Sequence, residues 1–184
     1  MLVVMPRPRV VMRRNNTACD FPGQWWMNLS EEDQVAIVQT ISESARRKAV
    51  RPLLRVLAGS AGLTVRITVA LVLDNLADSR CIPLFKKIAL DNNADLGLRC
   101  ICTEALRWFV RRGVVRTTLF TLAQDRRVAI RGSVVCALYA GVQTKKGVLE
   151  LIEPTLRLLA DDSALLSSGV PVAKLAAELL ALRR

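Results

Sequence analysis

Three arginines, Arg66, Arg99 and Arg131, recur at intervals of 33 and 32 residues, each near the start of a block of the same form. The blocks are Val65–Leu73, Leu98–Leu106 and Ile130–Leu138, each an apolar residue and Arg followed by mostly small or aliphatic residues and a closing Leu. A period of this size belongs to a two-helix unit that cannot bury its apolar face alone and must stack on its neighbours. The expected fold is therefore all-α, with about four helical pairs sharing one interior. Proteins built this way act through an extended surface rather than one pocket.

Composition agrees with close-packed small helices. Hydrophobic residues make up 52% of the 184 and aromatic residues only 4%, so the core must be aliphatic. The apolar run Leu63–Leu73 is broken by Arg66, and nothing approaches the roughly 18 apolar residues of a membrane-spanning helix. Five cysteines (Cys19, Cys81, Cys100, Cys102 and Cys136) show no C-x-x-C spacing. Cys100 and Cys102 fall about 200° apart around a helix, so they can share neither a metal nor a disulfide. Cys102 aligns with Val69 and Val134, a core position. A reducing, cytoplasmic setting is expected, with no metal or cofactor.

Residues 1–29 are expected to be a separate first segment, a basic and flexible arm. It carries Arg7, Arg9, Arg13 and Arg14, with Pro6 and Pro8 breaking any amphipathic helix. The repeat domain is expected over 30–184. It begins with a capping-box-like Ser30-Glu31-Glu32-Asp33, followed by Val35, Val38, Ile41 and Ala45 on one face. Arg46, Arg47 and Lys48 are expected to close this helix, which would cover the open end of the stack. Four units then follow at about 49–80, 81–113, 114–146 and 147–184. Gly113, Gly141 and Gly147 are expected between elements, where helices end. The last unit repeats Pro52–Gly59 as Pro154–Asp161, has a turn longer by about ten residues, and replaces the arginine with Ala173.

The blocks around Arg66, Arg99 and Arg131, with the pairs Ala105-Leu106 and Ala137-Leu138, resemble HEAT-like repeats of the short bacterial type, over roughly Val50 to Gln143. Such repeats are similar to those of bilin lyase subunits, of scaffold and adaptor proteins, and of some DNA-repair glycosylases. The resemblance implies a right-handed α-α superhelix with an N-terminal capping helix. It does not choose among these activities.

Arg66, Arg99 and Arg131 are expected to be architectural, each pairing with an acidic or carbonyl group of the preceding turn or an adjacent repeat. Asp125 precedes Arg131, and Asp91 and Asp95 precede Arg99. A ligand-binding ladder is the rival role. A second row, Arg80, Arg112 and Lys145, thickened by Arg111 and Lys146, is expected along one edge at the turns between units. Its cations either complement helix C-termini or meet an acidic partner. Trp25 and Trp26 either cover the first pair or anchor a partner; Trp108 and Phe109 are expected to pack.

The chain has no histidine, which removes the usual general base and every Ser-His or Cys-His pair. No phosphate-binding glycine loop is present. These features point away from an enzyme. The net charge of +11 favours a protein scaffold or adaptor with an acidic partner. A nucleic-acid binder is the alternative, and a bilin-lyase-like subunit a third expectation.

Overall fold

A computed structural model describes Trp26 and residues 28–44, 46–144 and 147–182. Among them the chain is all-helical: α1 (Glu31–Ser44), α2 (Arg46–Ala58), α3 (Leu63–Leu76), α4 (Ile82–Leu90), α5 (Leu96–Ala105), α6 (Gly113–Leu122), α7 (Val128–Thr144), α8 (Leu149–Leu159) and α9 (Val172–Ala181). Short 3-10 turns precede α4 (Ser79–Cys81) and follow α5 (Leu106–Phe109). A single isolated bridge joins Leu165 to Pro171 in the α8–α9 loop.

Successive helices pack as pairs, α2 with α3, α4 with α5, α6 with α7 and α8 with α9. The second members lie side by side in the order α3, α5, α7, α9, with α1 against α3 at the start. The first members α4, α6 and α8 form a second row, and α2 meets the turn that leads into α4. One continuous aliphatic core runs between the rows, from Ile37 and Val38 through Leu73, Leu106 and Leu138 to Leu179. The side chain at each of Val69, Cys102 and Val134 is fully enclosed. That agrees with the small-residue role expected for Cys102.

The local signals act as polar groups at helix ends should. Ser30 Oγ accepts the Asp33 amide at 3.1 Å, and Asp95 accepts the Leu98 amide at 3.0 Å, each satisfying a donor the helix leaves open. Gly62 caps α3 without a side chain; Glu31 supplies one from α1, its Oε1 accepting the Thr64 amide at 3.1 Å. A Cβ at Gly62 would stand 2.6 Å from that oxygen. Glycine is thus needed there for the α1 carboxylate to reach the end of α3.

Several expectations about boundaries are corrected. Arg46, Arg47 and Lys48 open α2 rather than closing α1. Gly141 lies inside α7, not between elements; a Cβ there would sit 3.0 and 3.1 Å from the two methyls of Val110. The glycine lets α7 approach the turn after α5. Gly113 begins α6, while Gly147 has φ +70, as a helix terminator should. Trp26 is only 1% exposed and belongs to the core, so the packed domain reaches back past the expected start at residue 30. Gln34 Nε2 donates to the Trp26 carbonyl at 2.9 Å and fixes it against α1.

Candidate functional site

The periodic arginines make one contact in common. Arg66 Nε donates to the Leu57 carbonyl at 3.2 Å, Arg99 Nε to the Ala89 carbonyl at 2.9 Å, and Arg131 Nη1 to the Asp125 carbonyl at 2.8 Å. Each acceptor lies at or just beyond the end of the first helix of the same pair, where backbone carbonyls lack helical donors. Each arginine near the start of a second helix thus ties off the first.

Two of them also reach forward. Arg99 Nη2 meets Asp125 Oδ2 at 2.5 Å, and Arg131 Nε meets Asp162 Oδ2 at 2.6 Å, with Nη2 on Oδ1 at 3.1 Å. The carboxylate therefore comes from the following pair. The acidic residues preceding Arg99 do other work: Asp91 accepts the Asn93 amide at 2.9 Å and Asp95 caps α5. Asp125 is the shared node, its carboxylate on Arg99 and its carbonyl on Arg131.

The electrostatics follow. The Arg131 bond holds Asp162 below the usual carboxylate range against partial burial, helped by the Ala164 amide. Burial acts to raise Asp125, but the Arg127 amide and the Arg99 guanidinium outweigh it and leave it low. Arg99 is itself 1% exposed, and its Nη1 finds no acceptor among the described residues. These groups are built into the junctions between pairs, where a ligand would have to displace the fold's own bonds.

A second set of junction contacts joins neighbours within the row of second helices, α3 to the turn after α5 and α5 to α7. Asp74, buried near the end of α3, accepts Arg107 Nη2 at 2.5 Å and Trp108 Nε1 at 2.8 Å. The Arg107 guanidinium stands 5.0 Å from the Trp108 ring centroid, within cation–π range. Glu104 accepts Ser133 Oγ at 2.9 Å. Asp74, Arg107 and Asp162 were not singled out from the sequence. The separation of 33 residues between Asp74 and Arg107 matches the arginine interval and was the available signal.

Of the expected basic edge, Arg80, Arg111 and Arg112 are among the described residues. Arg80 is held by Asp78 through Nε–Oδ1 at 2.9 Å and Nη2–Oδ2 at 2.8 Å, and this bond raises its pKa. Arg112 is exposed and immediately precedes α6, so it sits at a helix N-terminus rather than the expected C-terminus. Arg111 is exposed beside it, and its carbonyl accepts Arg116 Nη1 at 2.6 Å. Lys145, Lys146 and Trp25 lie outside the described residues. Trp26 has almost no surface to offer a partner. Trp108 packs against the core and Phe109 is buried.

The described thiols are poor nucleophiles. Burial pushes Cys81 and Cys102 up to about 12 and raises Cys100 and Cys136, so all four stay protonated at neutral pH. Among the described residues no cluster of three metal-ligating side chains occurs, and no helix is long and apolar enough to cross a membrane.

Two exposed surfaces stand out. On α6 and α8, which pack together, Val114, Phe120, Leu151 and Leu158 are each 40–48% exposed. On α2 and α4, exposed Lys48, Arg51, Arg55 and Lys87 have no carboxylate on either helix. Neither protein-family models nor curated proteins give any match to the chain.

Proposed function

We propose that the protein is a non-catalytic interaction scaffold, its helical pairs continuing as a right-handed HEAT-like superhelix that holds a protein partner on its surface. The observation that supports this most is the apolar set Val114, Phe120, Leu151 and Leu158 on adjoining α6 and α8. Large exposed apolar side chains on adjoining helices are what protein interfaces bury at their centres. Exposed Arg111 and Arg112, just ahead of α6, favour a partner with an acidic rim. Catalysis has little to work with, since the chain lacks histidine and its described thiols are held neutral.

The test is recovery of a defined partner by affinity capture from the native source, repeated with Phe120→Asp and Leu158→Asp. Loss of that partner from a variant that still melts cooperatively supports the scaffold. An unchanged partner set would remove this surface from consideration. A second reading, contact with nucleic acid, is favoured by the carboxylate-free helices α2 and α4.

A further inference from the structure

We infer that the outer face of α2 and α4 is a docking surface for the phosphate backbone of duplex DNA, separate from the apolar surface of α6 and α8. Helix α2 carries Arg46, Arg47, Lys48, Arg51 and Arg55, and α4 carries Lys86 and Lys87; neither contains Asp or Glu. Lys48, Arg51, Arg55 and Lys87 are exposed, while Val50, Leu53 and Leu57 face the core. On α2 the three exposed cations follow at i, i+3 and i+7, one stripe about 10 Å long. The turn Ser79–Cys81, which meets both α2 and α4, connects the two parts of the surface.

The helix dipole accounts for Arg55 and Lys87, which lie in the last turns of α2 and α4, but not for the other cations of this face. Cations in the first turn of a helix oppose its macrodipole, yet α2 opens with three of them. Four of the described aspartates are engaged with other arginines. Asp74 binds Arg107, Asp78 binds Arg80, Asp125 binds Arg99, and Asp162 binds Arg131. No ion pair joins Lys48, Arg51, Arg55 or Lys87 to a carboxylate among the described residues. Exposed charge without an internal counter-charge, part of it opposing the helix dipole, is accounted for by an external polyanion.

The same face discriminates between kinds of polyanion. None of the large exposed apolar side chains lies on α2 or α4, so it lacks the anchors that carry protein interfaces. Exposed aromatic rings are absent there as well, which disfavours base stacking on a single strand. What remains suits a regular phosphate row contacted by charge alone, with salt-dependent and sequence-independent affinity.

The experiment is fluorescence anisotropy with the full chain and labelled duplexes of about 20 base pairs in two unrelated sequences, across about 50 to 200 mM salt. The quadruple variant Lys48→Gln, Arg51→Gln, Arg55→Gln, Lys87→Gln is compared with wild type and with an arm variant, Arg7→Gln, Arg9→Gln, Arg13→Gln, Arg14→Gln. Circular dichroism melting confirms folding, and all four substituted helix positions are exposed. The expected result is equal binding of both duplexes by the wild type. For the quadruple variant it is at least a tenfold loss near 100 mM salt, with a logarithmic salt slope shallower by about 0.9 for each contact removed. Three results would overturn the inference: no duplex binding at the lowest salt, binding lost only in the arm variant, or tighter binding of polyglutamate than of the duplex. Each leaves the apolar surface and its own partner test untouched.

Discussion

Arg99 and Asp125 meet at 2.5 Å across the junction between the α4–α5 and α6–α7 pairs, with the guanidinium almost wholly enclosed. The arginine is fixed from behind by its bond to the Ala89 carbonyl, and the aspartate passes the connection on through its own carbonyl to Arg131. Geometry of this kind orders one pair relative to the next, because a slip at the junction would strand an enclosed charge.

Replacing Asp125 with Ala should therefore be costly. The Arg99 guanidinium already has one nitrogen with no acceptor among the described residues and would lose its counter-ion. A loss of roughly 3–5 kcal/mol is expected, read from urea denaturation. Arg99→Met combined with Asp125→Leu should cost less than Asp125→Ala alone. If the double variant is the less stable of the two, the junction is not governed by the stranded charge.

Acid should weaken the same junctions in a defined direction. Asp125 and Asp162 have folded pKa values below their ordinary range. Their stabilisation is thus complete above the unfolded carboxylate value, about 3.9, and is lost as pH falls through the lower folded values. The urea midpoint should stay level from about pH 6 to about pH 5 and fall below about pH 4. Asp162→Asn should lower the level part and flatten the acid decline. A decline of unchanged steepness would show that other carboxylates control it.

Glycine positions inside and after α7 should respond for different reasons. Gly141→Ala gains up to about 1 kcal/mol in helix propensity, but its Cβ would press on both branches of Val110, at 3.0 and 3.1 Å. Overpacking of about 1–3 kcal/mol should prevail, with partial rescue by Val110→Ala. Gly147→Ala meets no atom within 4 Å but must hold φ +70, a strain of about 1–2 kcal/mol. Paired thermal melts distinguish the two, since Val110→Ala should leave the second defect unrelieved.

Thiol labelling reports enclosure along the stack. In a Cys19→Ser background, exposed Cys136 should react first with an aromatic disulfide reagent, and slowly because its thiol stays protonated. Cys81 and Cys102, both buried, should react only on unfolding. Fast labelling of Cys102 in native buffer would contradict a continuous core.

Much of the helical order was legible from short-range signals. The bounds of α3, the Ile82 start of α4 and the turn at residues 91–95 follow from Gly-, Pro- and Asp-rich punctuation that acts locally. What the sequence left open depends on how one pair seats on another. The arginine period located the bonds but not their forward direction, because spacing alone does not say which turn lies beside a guanidinium. Arg46–Lys48 lie between two helical patterns with almost no spacer, so charge near a helix end could not tell whose end it was. Gly141 looked like a terminator because the close approach of Val110 has no trace in its immediate neighbours. The apolar group on α6 and α8 was hidden for a similar reason: Val114 and Leu151 fit a helical core pattern until the partner helices are seen to leave them uncovered.

The double grip of Arg99 and Arg131, backward on a carbonyl and forward on a carboxylate, bears on how the protein comes apart. Proteolytic trimming from the C-terminal side would take Asp162 away from Arg131, and the next cut would take Asp125 from Arg99, so each loss loosens the remnant before it. Digestion should pass from intact chain to small peptides without a ladder of stable, successively shorter fragments.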